Sequence, residues 1–458
     1  MKIKLSALCI LLSVCGAKSQ SVPAFADGER IVFVGNSITC GGHYHSYIWL
    51  YYMTHFPDRR ISIYNEGIGG DVANMMYLRL DKVFEHQPTL VTLSFGMNDV
   101  GYMDYTQPEN GAIGSKNVAV ACEDYQKIET ELKKYPTINK VLIGSSPYDE
   151  SARFNQTPFP GKNRLIEQIA DFLQQRAKIN KWHFLDFNRP MMAINQREQQ
   201  ADSTYTLCGA DRIHPTTDGH LVMAYLFLKA QGLTGKPVAD ILIDASGRIV
   251  KRADNCRITD LSVSAKDIRF TYLAKALPYP IDYSHYENEK HTQADALKVI
   301  PFMDEVNCEG LAVTGLSDGY YLLKIENEPI ARLTAGELKR GINLASYANT
   351  PQNKQAEQIR ELNERRWLIE RQIREYYWIE YNLMRKTNML WACNEAAVDT
   401  LQKYRAIDPF VNWTADYWLR YMHKRVREDS EKEQQSLVET IYRLNKPQAL
   451  KVELVKLD

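Results

Sequence analysis

From residue 30 to about residue 232, short apolar runs alternate with longer stretches whose apolar positions recur every three or four residues. The runs at 31–34, 61–64, 90–95, 141–144 and 183–187 predict strands, and the stretches at 46–55, 72–84, 123–134, 162–179 and 218–230 predict helices. Ile31-Val32-Phe33-Val34 carries no polar alternation, which is the pattern of a strand covered on both faces. Strand and helix alternating at this spacing imply right-handed crossovers and a parallel sheet. The expected architecture is α/β, a flavodoxin-like three-layer sandwich.

Past Gly232 the rhythm changes. Gly235-Lys236-Pro237 reads as a linker, and short alternating segments follow at 258–263, 268–273, 311–313, 320–325 and 330–333. Turn residues between them predict hairpins, hence a small antiparallel β module. From 352 almost to 445 the pattern is helical, with Trp367, Trp378 and Trp391 among interleaved acids and bases. That pattern predicts a helical hairpin with a solvated face and an aromatic core. The segment 449–457 alternates again and is expected to return as a strand to the β module. The resulting division is 1–19 as a leader, 20–235 as a catalytic domain, 236–345 as the β module, 346–446 as the helical region and 447–458 as the return strand.

The leader reading rests on two lysines, an apolar core from Leu5 to Val14 and the small-x-small triplet Ala17-Lys18-Ser19 before Gln20. It predicts a signal peptide and an exported protein, periplasmic or extracellular. Leu12-Ser13-Val14-Cys15 loosely matches a lipoprotein box, but Val14 fits poorly before the cysteine, so simple cleavage ranks ahead of anchoring at Cys15. No later stretch approaches the length of a membrane span. Lys and Arg number 56 and Asp and Glu 56, so the net charge is zero, which argues against a nucleic-acid partner. Export puts Cys40, Cys122, Cys208, Cys256, Cys308 and Cys393 in an oxidising compartment. Bridges Cys256–Cys308 and Cys40–Cys208 are conceivable, with buried free thiols as the alternative for each.

Four short motifs fall just past predicted strand ends, where ligands bind in parallel α/β sheets. They are Gly35-Asn36-Ser37, Asn65-Glu66-Gly67-Ile68-Gly69-Gly70-Asp71, Gly96-Met97-Asn98-Asp99 and Asp211-Arg212-Ile213-His214-Pro215. Together they hold the parts of an acyl-transfer site. Ser37 is the candidate nucleophile, His214 the base and Asp211 the group that holds the imidazole. The backbone N–H groups of Ser37 and Gly70 and the amide of Asn98 are the candidate oxyanion donors. No metal or other cofactor is needed. Asp71 and Asp99 read as turn or capping residues, and His220 as structural. His43, Tyr44, Tyr102 and Tyr148 lie close to these loops and are candidates to line the substrate site or stack on sugar rings.

In this order, the motifs resemble the four blocks of the SGNH hydrolases, also called GDSL-type esterases. The resemblance covers roughly the first half of the mature chain. It implies Ser37 as nucleophile, Gly70 and Asn98 completing the oxyanion hole, and Asp211 and His214 as the other triad members. Asn36 departs from the family, which usually has Asp there; the position neighbours the nucleophile, and the amide is expected to be tolerated.

The expected function is that of a secreted serine esterase working through an acyl-enzyme. Its expected partner is an acylated, chiefly O-acetylated, polysaccharide or oligosaccharide, with the substrate class resting on resemblance to exported multidomain SGNH esterases. Lipase-like, thioesterase-like or acyltransferase chemistry would use the same residues. A glycan-binding protein without activity is the reading from a different class.

Overall fold

The structure is a computed structural model that describes residues 22–101, 111–154, 157–287 and 289–457. Five strands form the first sheet: β1 Arg30–Gly35, β2 Ser62–Gly67, β3 Leu90–Phe95, β4 Asn139–Gly144 and β5 His183–Asp186. All neighbours are parallel, in the order β2-β1-β3-β4-β5, so the flavodoxin-like core is present as expected. Ile31 to Val34 are buried, in keeping with cover on both faces. Every residue of the Tyr44–His55 helix is buried as well, because it lies between the sheet and the helices Thr217–Ala230 and Pro351–Ile379.

Two helices differ from the sequence pattern. The stretch expected at 72–84 is broken into Ala73–Tyr77 and Leu80–Glu85, with Arg79 between them and only 1% exposed. Its guanidinium turns inward to Asp71 and Glu66, and the break lets it reach them. The helix expected at 123–134 spans Gly111–Lys133.

The β module has more strands than expected: β6 Ala239–Asp244, β7 Ile249–Asp254, β8 Cys256–Val263, β9 Asp267–Ala274, β10 Glu309–Thr314, β11 Tyr320–Ile325, β12 Glu328–Thr334, β13 Ile342–Asn343 and β14 Leu450–Lys456. They make a five-stranded antiparallel sheet, β12-β11-β14-β9-β8, and a four-stranded sheet, β13-β10-β6-β7. The second is mixed, since β6 and β10 run parallel. The long connection between them permits that crossover. Ile241, Ile243, Leu311 and Val313 share one apolar cluster with Phe270, Leu323, Val452 and Leu454 of the other sheet. The sheets therefore pack face to face.

The connection between β9 and β10 leaves this sandwich. Leu277, Tyr279, Phe302 and Val306 join the core of the first domain, and His55 donates through Nε2 to the Val306 carbonyl at 2.9 Å. Ala356 and Ile359 of the Pro351–Ile379 helix and Ile441 and Tyr442 near the chain's end enter the same core. The helical region itself extends beyond a hairpin: Pro351–Ile379 runs into a π turn at Glu380–Met384, then Glu395–Arg405, Pro409–Tyr421 and Lys424–Leu444 follow. Ile373, Tyr376, Ala415 and Trp418 form its own small core.

Of the two alternatives for the cysteines the structure has free thiols: all six outside the leader are unbridged. Cys208 donates its thiol to the Pro147 carbonyl at 3.3 Å, whereas Cys40 lies beside the charges of Glu375, Arg374 and Arg371. Among the described residues no helix is long and apolar enough to cross a membrane.

Candidate active site

β1 ends at Gly35, and Ser37 opens the short helix Ser37–Cys40. Asn36 caps that helix, its side-chain oxygen accepting the Ile38 N–H at 3.0 Å. A carboxylate would accept the same hydrogen bond, which accounts for either residue at this position.

The second motif locks onto this turn from below. Asn65 donates its amide to the Cys40 carbonyl at 2.9 Å and accepts the Gly67 N–H at 2.8 Å. A Cβ on Gly67 would lie 2.2 Å from the Cys40 nitrogen, so only glycine allows this approach. Gly70, at φ +79°, uses the left-handed backbone region that glycine enters without strain. In the third motif, Asp99 accepts the N–H groups of Ala73 at 2.7 Å and Gly96 at 2.8 Å, tying two strand-end loops together. Asn98 donates to the Asp71 carbonyl at 2.9 Å.

The fourth motif arrives from the other end of the domain. Asp211 Oδ1 accepts the backbone N–H groups of Ile213 and His214 at 2.9 and 3.1 Å, leaving Oδ2 to face His214 Nδ1 at 2.5 Å. His214 Nε2 lies 2.7 Å from Ser37 Oγ. Burial works to raise the Asp211 pKa, but the hydrogen bond and charge of His214 outweigh it and hold the carboxyl below its ordinary value. The Asp211 and His214 side chains remain 47% and 45% exposed, so a substrate can reach them. Hydroxyl, imidazole and carboxylate in this chain form a proton path from the hydroxyl to a ring whose positive charge is met by an anion.

Behind the histidine the site is dry. His220 is buried, and burial with the charges of His43, His45 and His214 pushes its pKa well below the usual imidazole value. His43 does not line the substrate site as expected: it is 3% exposed, stacked on Trp367 at 3.7 Å, with Nε2 3.2 Å from Glu364 Oε1. Tyr44 and Tyr148 are each 1% exposed. Tyr44 pairs with the Thr39 hydroxyl, and Tyr148 accepts the Phe159 N–H. Packing uses up the ring faces that were expected to meet sugars. Tyr102 lies outside the described residues. Among the described residues, no cluster of three or more His, Cys, Asp or Glu side chains is arranged to hold a metal ion.

Sequence reasoning missed the supports that come from the helical region. Glu66 is buried, with Arg374 Nη1 at 2.8 Å, His86 Nε2 at 3.0 Å and Arg79 Nη1 at 3.4 Å. Burial opposes its ionisation, but Arg374, His86 and Arg79 outweigh this and bring its pKa to about 2. Glu370 accepts the Asn65 N–H at 3.0 Å and pairs with Arg366 at 3.0 Å. Arg374, Arg366 and Glu370 lie about 300 residues from the motif they brace, and no local pattern announces them.

Comparison with known proteins agrees with this geometry. The family model described as GDSL-like lipase/acylhydrolase matches residues 33–222, and the one described as diltiazem deacetylase C-terminal helical domain matches residues 357–446. The chain belongs to the GDSL-like lipase/acylhydrolase family, the SGNH hydrolases, and is a carboxylic ester hydrolase. Along 96% of its length it is 43% identical to a gut microbial diltiazem-metabolizing enzyme of known structure, with a TM-score of 0.93 and all of that chain covered. It is also 23% identical over 223 residues to an acetylxylan esterase of Geobacillus stearothermophilus, covering 45% of this chain and 94% of that one.

Proposed function

We propose that the protein is an exported serine deacetylase that removes O-acetyl groups from carbohydrates through an acyl-enzyme. The observation that carries the chemistry is the 2.7 Å contact between Ser37 Oγ and His214 Nε2, with Asp211 on the far nitrogen. Ser37 attacks the acetyl carbonyl while His214 takes its proton, and the imidazolium then returns that proton to the departing alcohol. Water, activated by the same histidine, releases acetate from Ser37. Charge on the carbonyl oxygen is met by the N–H groups of Ser37 and Gly70, which serve no other acceptor among the described residues. Asn98 joins them with its second amide hydrogen, the first being held by the Asp71 carbonyl.

Acetyl as the acyl group is supported by the relative named as an acetylxylan esterase and by the match of residues 357–446 to the model described as diltiazem deacetylase C-terminal helical domain. The carbohydrate is supported by the first of these, and export by the leader-like composition of residues 1–19. The likeness to the diltiazem-metabolizing enzyme over nearly the whole chain favours a second reading, in which the alcohol is an aromatic small molecule. Acetate release from acetylated xylo-oligosaccharides and from aryl acetates separates the two. Labelling by a fluorophosphonate, located by mass spectrometry, should fall on Ser37; a label elsewhere removes the assignment.

A further inference from the structure

The helical region also reaches the glycine turn beside Gly70. A Cβ built on Gly69 would lie 3.2 Å from Trp378 Cδ1 and 3.4 Å from its Nε1, so the indole rests on the residue next to Gly70. Trp378 is only partly buried. From it, aromatic surface continues outward: the Phe410 ring is 6.1 Å away and 67% exposed, and Trp413, one turn along the Pro409–Tyr421 helix, is 52% exposed. That helix buries Val411, Ala415 and Trp418 in the helical core instead. Phe410 and Trp413 therefore form an aromatic face that the fold leaves uncovered, continuing from the indole that rests on Gly69.

We propose that Trp378 and Phe410 form a ring-stacking subsite for the alcohol portion of the ester. The inference rests on the deacetylase reading, because an acetyl group ends one methyl beyond its carbonyl and only the alcohol extends far enough to follow the strip from Trp378 to Phe410. Both candidate alcohols present a ring with an apolar face, a sugar through its C–H groups and an arene through its π surface, and an indole takes either. Trp378 is a specificity-determining residue in this scheme, with no part in proton transfer.

The test compares acetylated xylo-oligosaccharides, 2-naphthyl acetate and ethyl acetate, which has no ring. Trp378→Ala should lower kcat/KM on the ring-bearing esters by on the order of 10-fold, mainly through KM, as truncation of an aromatic anchor does. Ethyl acetate should change by less than about 3-fold, Trp378→Phe should recover most of the loss, and Phe410→Ala should cost about 2-fold to 5-fold on ring esters. Which ring ester shows the larger loss identifies the source of the ring. An equal loss on all three esters would make Trp378 a prop for the Gly69-Gly70 turn and overturn the proposal. A gain of 4-nitrophenyl butyrate over 4-nitrophenyl acetate, without a change among the alcohols, would overturn it by assigning the ring to the acyl side. Calorimetric binding of xylobiose and 2-naphthol to the Ser37→Ala protein needs no turnover, so it separates this proposal from the deacetylase reading. Weaker binding of either alcohol after Trp378→Ala supports the subsite, and unchanged binding of both overturns it.

Discussion

The loop at 65–71 has two sides, and they are built on opposite physical terms. One side carries Gly70, the proposed oxyanion donor, and belongs to an open setting in which the Asp211 and His214 side chains are nearly half exposed. On the other side, Glu66 and Glu370 meet Arg374, Arg366 and Arg79 with almost no exposure. The open side keeps reacting groups within reach of substrate. The dry side fixes the backbone that presents them, because charges held in low dielectric cannot drift apart without a large loss. Chemistry and support are thus separated by the width of one loop.

The largest expected effect breaks the open side alone. Ser37→Ala should lower turnover of 4-nitrophenyl acetate by about 10⁶-fold, as loss of the nucleophile does in a well-studied serine hydrolase, with the melting temperature unchanged. Arg374→Met attacks the dry side: it leaves Glu66 short of its best partner and should cost about 3–5 kcal/mol of stability, read by denaturant unfolding. Asn98→Ala returns to the open side and should lower kcat by about 10²-fold to 10³-fold if its amide meets the oxyanion; a loss within a few-fold would reassign that donor.

The dry side also predicts an acid limit. The Glu66 pKa is depressed to about 2 from an ordinary carboxyl value near 4.3, so the unfolded state binds the extra proton between those values. Its contribution is complete above about pH 4.3 and is lost as pH falls toward 2, on the order of 3 kcal/mol in all. Glu66→Gln should flatten that part of the stability curve. The smallest effect sharpens the comparison at the cap: Asn36→Asp keeps the hydrogen bond to Ile38 and should change kcat/KM by no more than about 3-fold. A large loss would mean that the amide itself has a role on the open side.

The same two sides explain what the sequence made legible. Ser37 and Asn98 each follow an apolar run within a motif a few residues long, at strand ends of a parallel sheet, and Asp211 and His214 share one short motif, set beyond the Asn188–Glu198 helix that follows β5. Arg374, Glu370 and Trp378 sit in an ordinary amphipathic helix, and Glu370 is 305 residues from the Asn65 it holds. Nearness in sequence also misled. His43 and Tyr148 flank motif loops, yet nothing local says whether a ring turns toward substrate or into the core. β7 was missed because it is an exposed edge strand, half of whose residues are charged, and the break at Arg79 because periodicity runs through it undisturbed.

The placement of β14 has a consequence for biogenesis. It lies between β9 and β11, and Glu453 meets Arg269 across 184 residues of chain. During synthesis at 5–20 residues per second, β9 waits roughly 10–40 s for its neighbour. For that interval two strand borders stand open to other chains, so nascent copies on one message are at risk of joining through them. A version shortened before residue 450 would keep that hazard permanently.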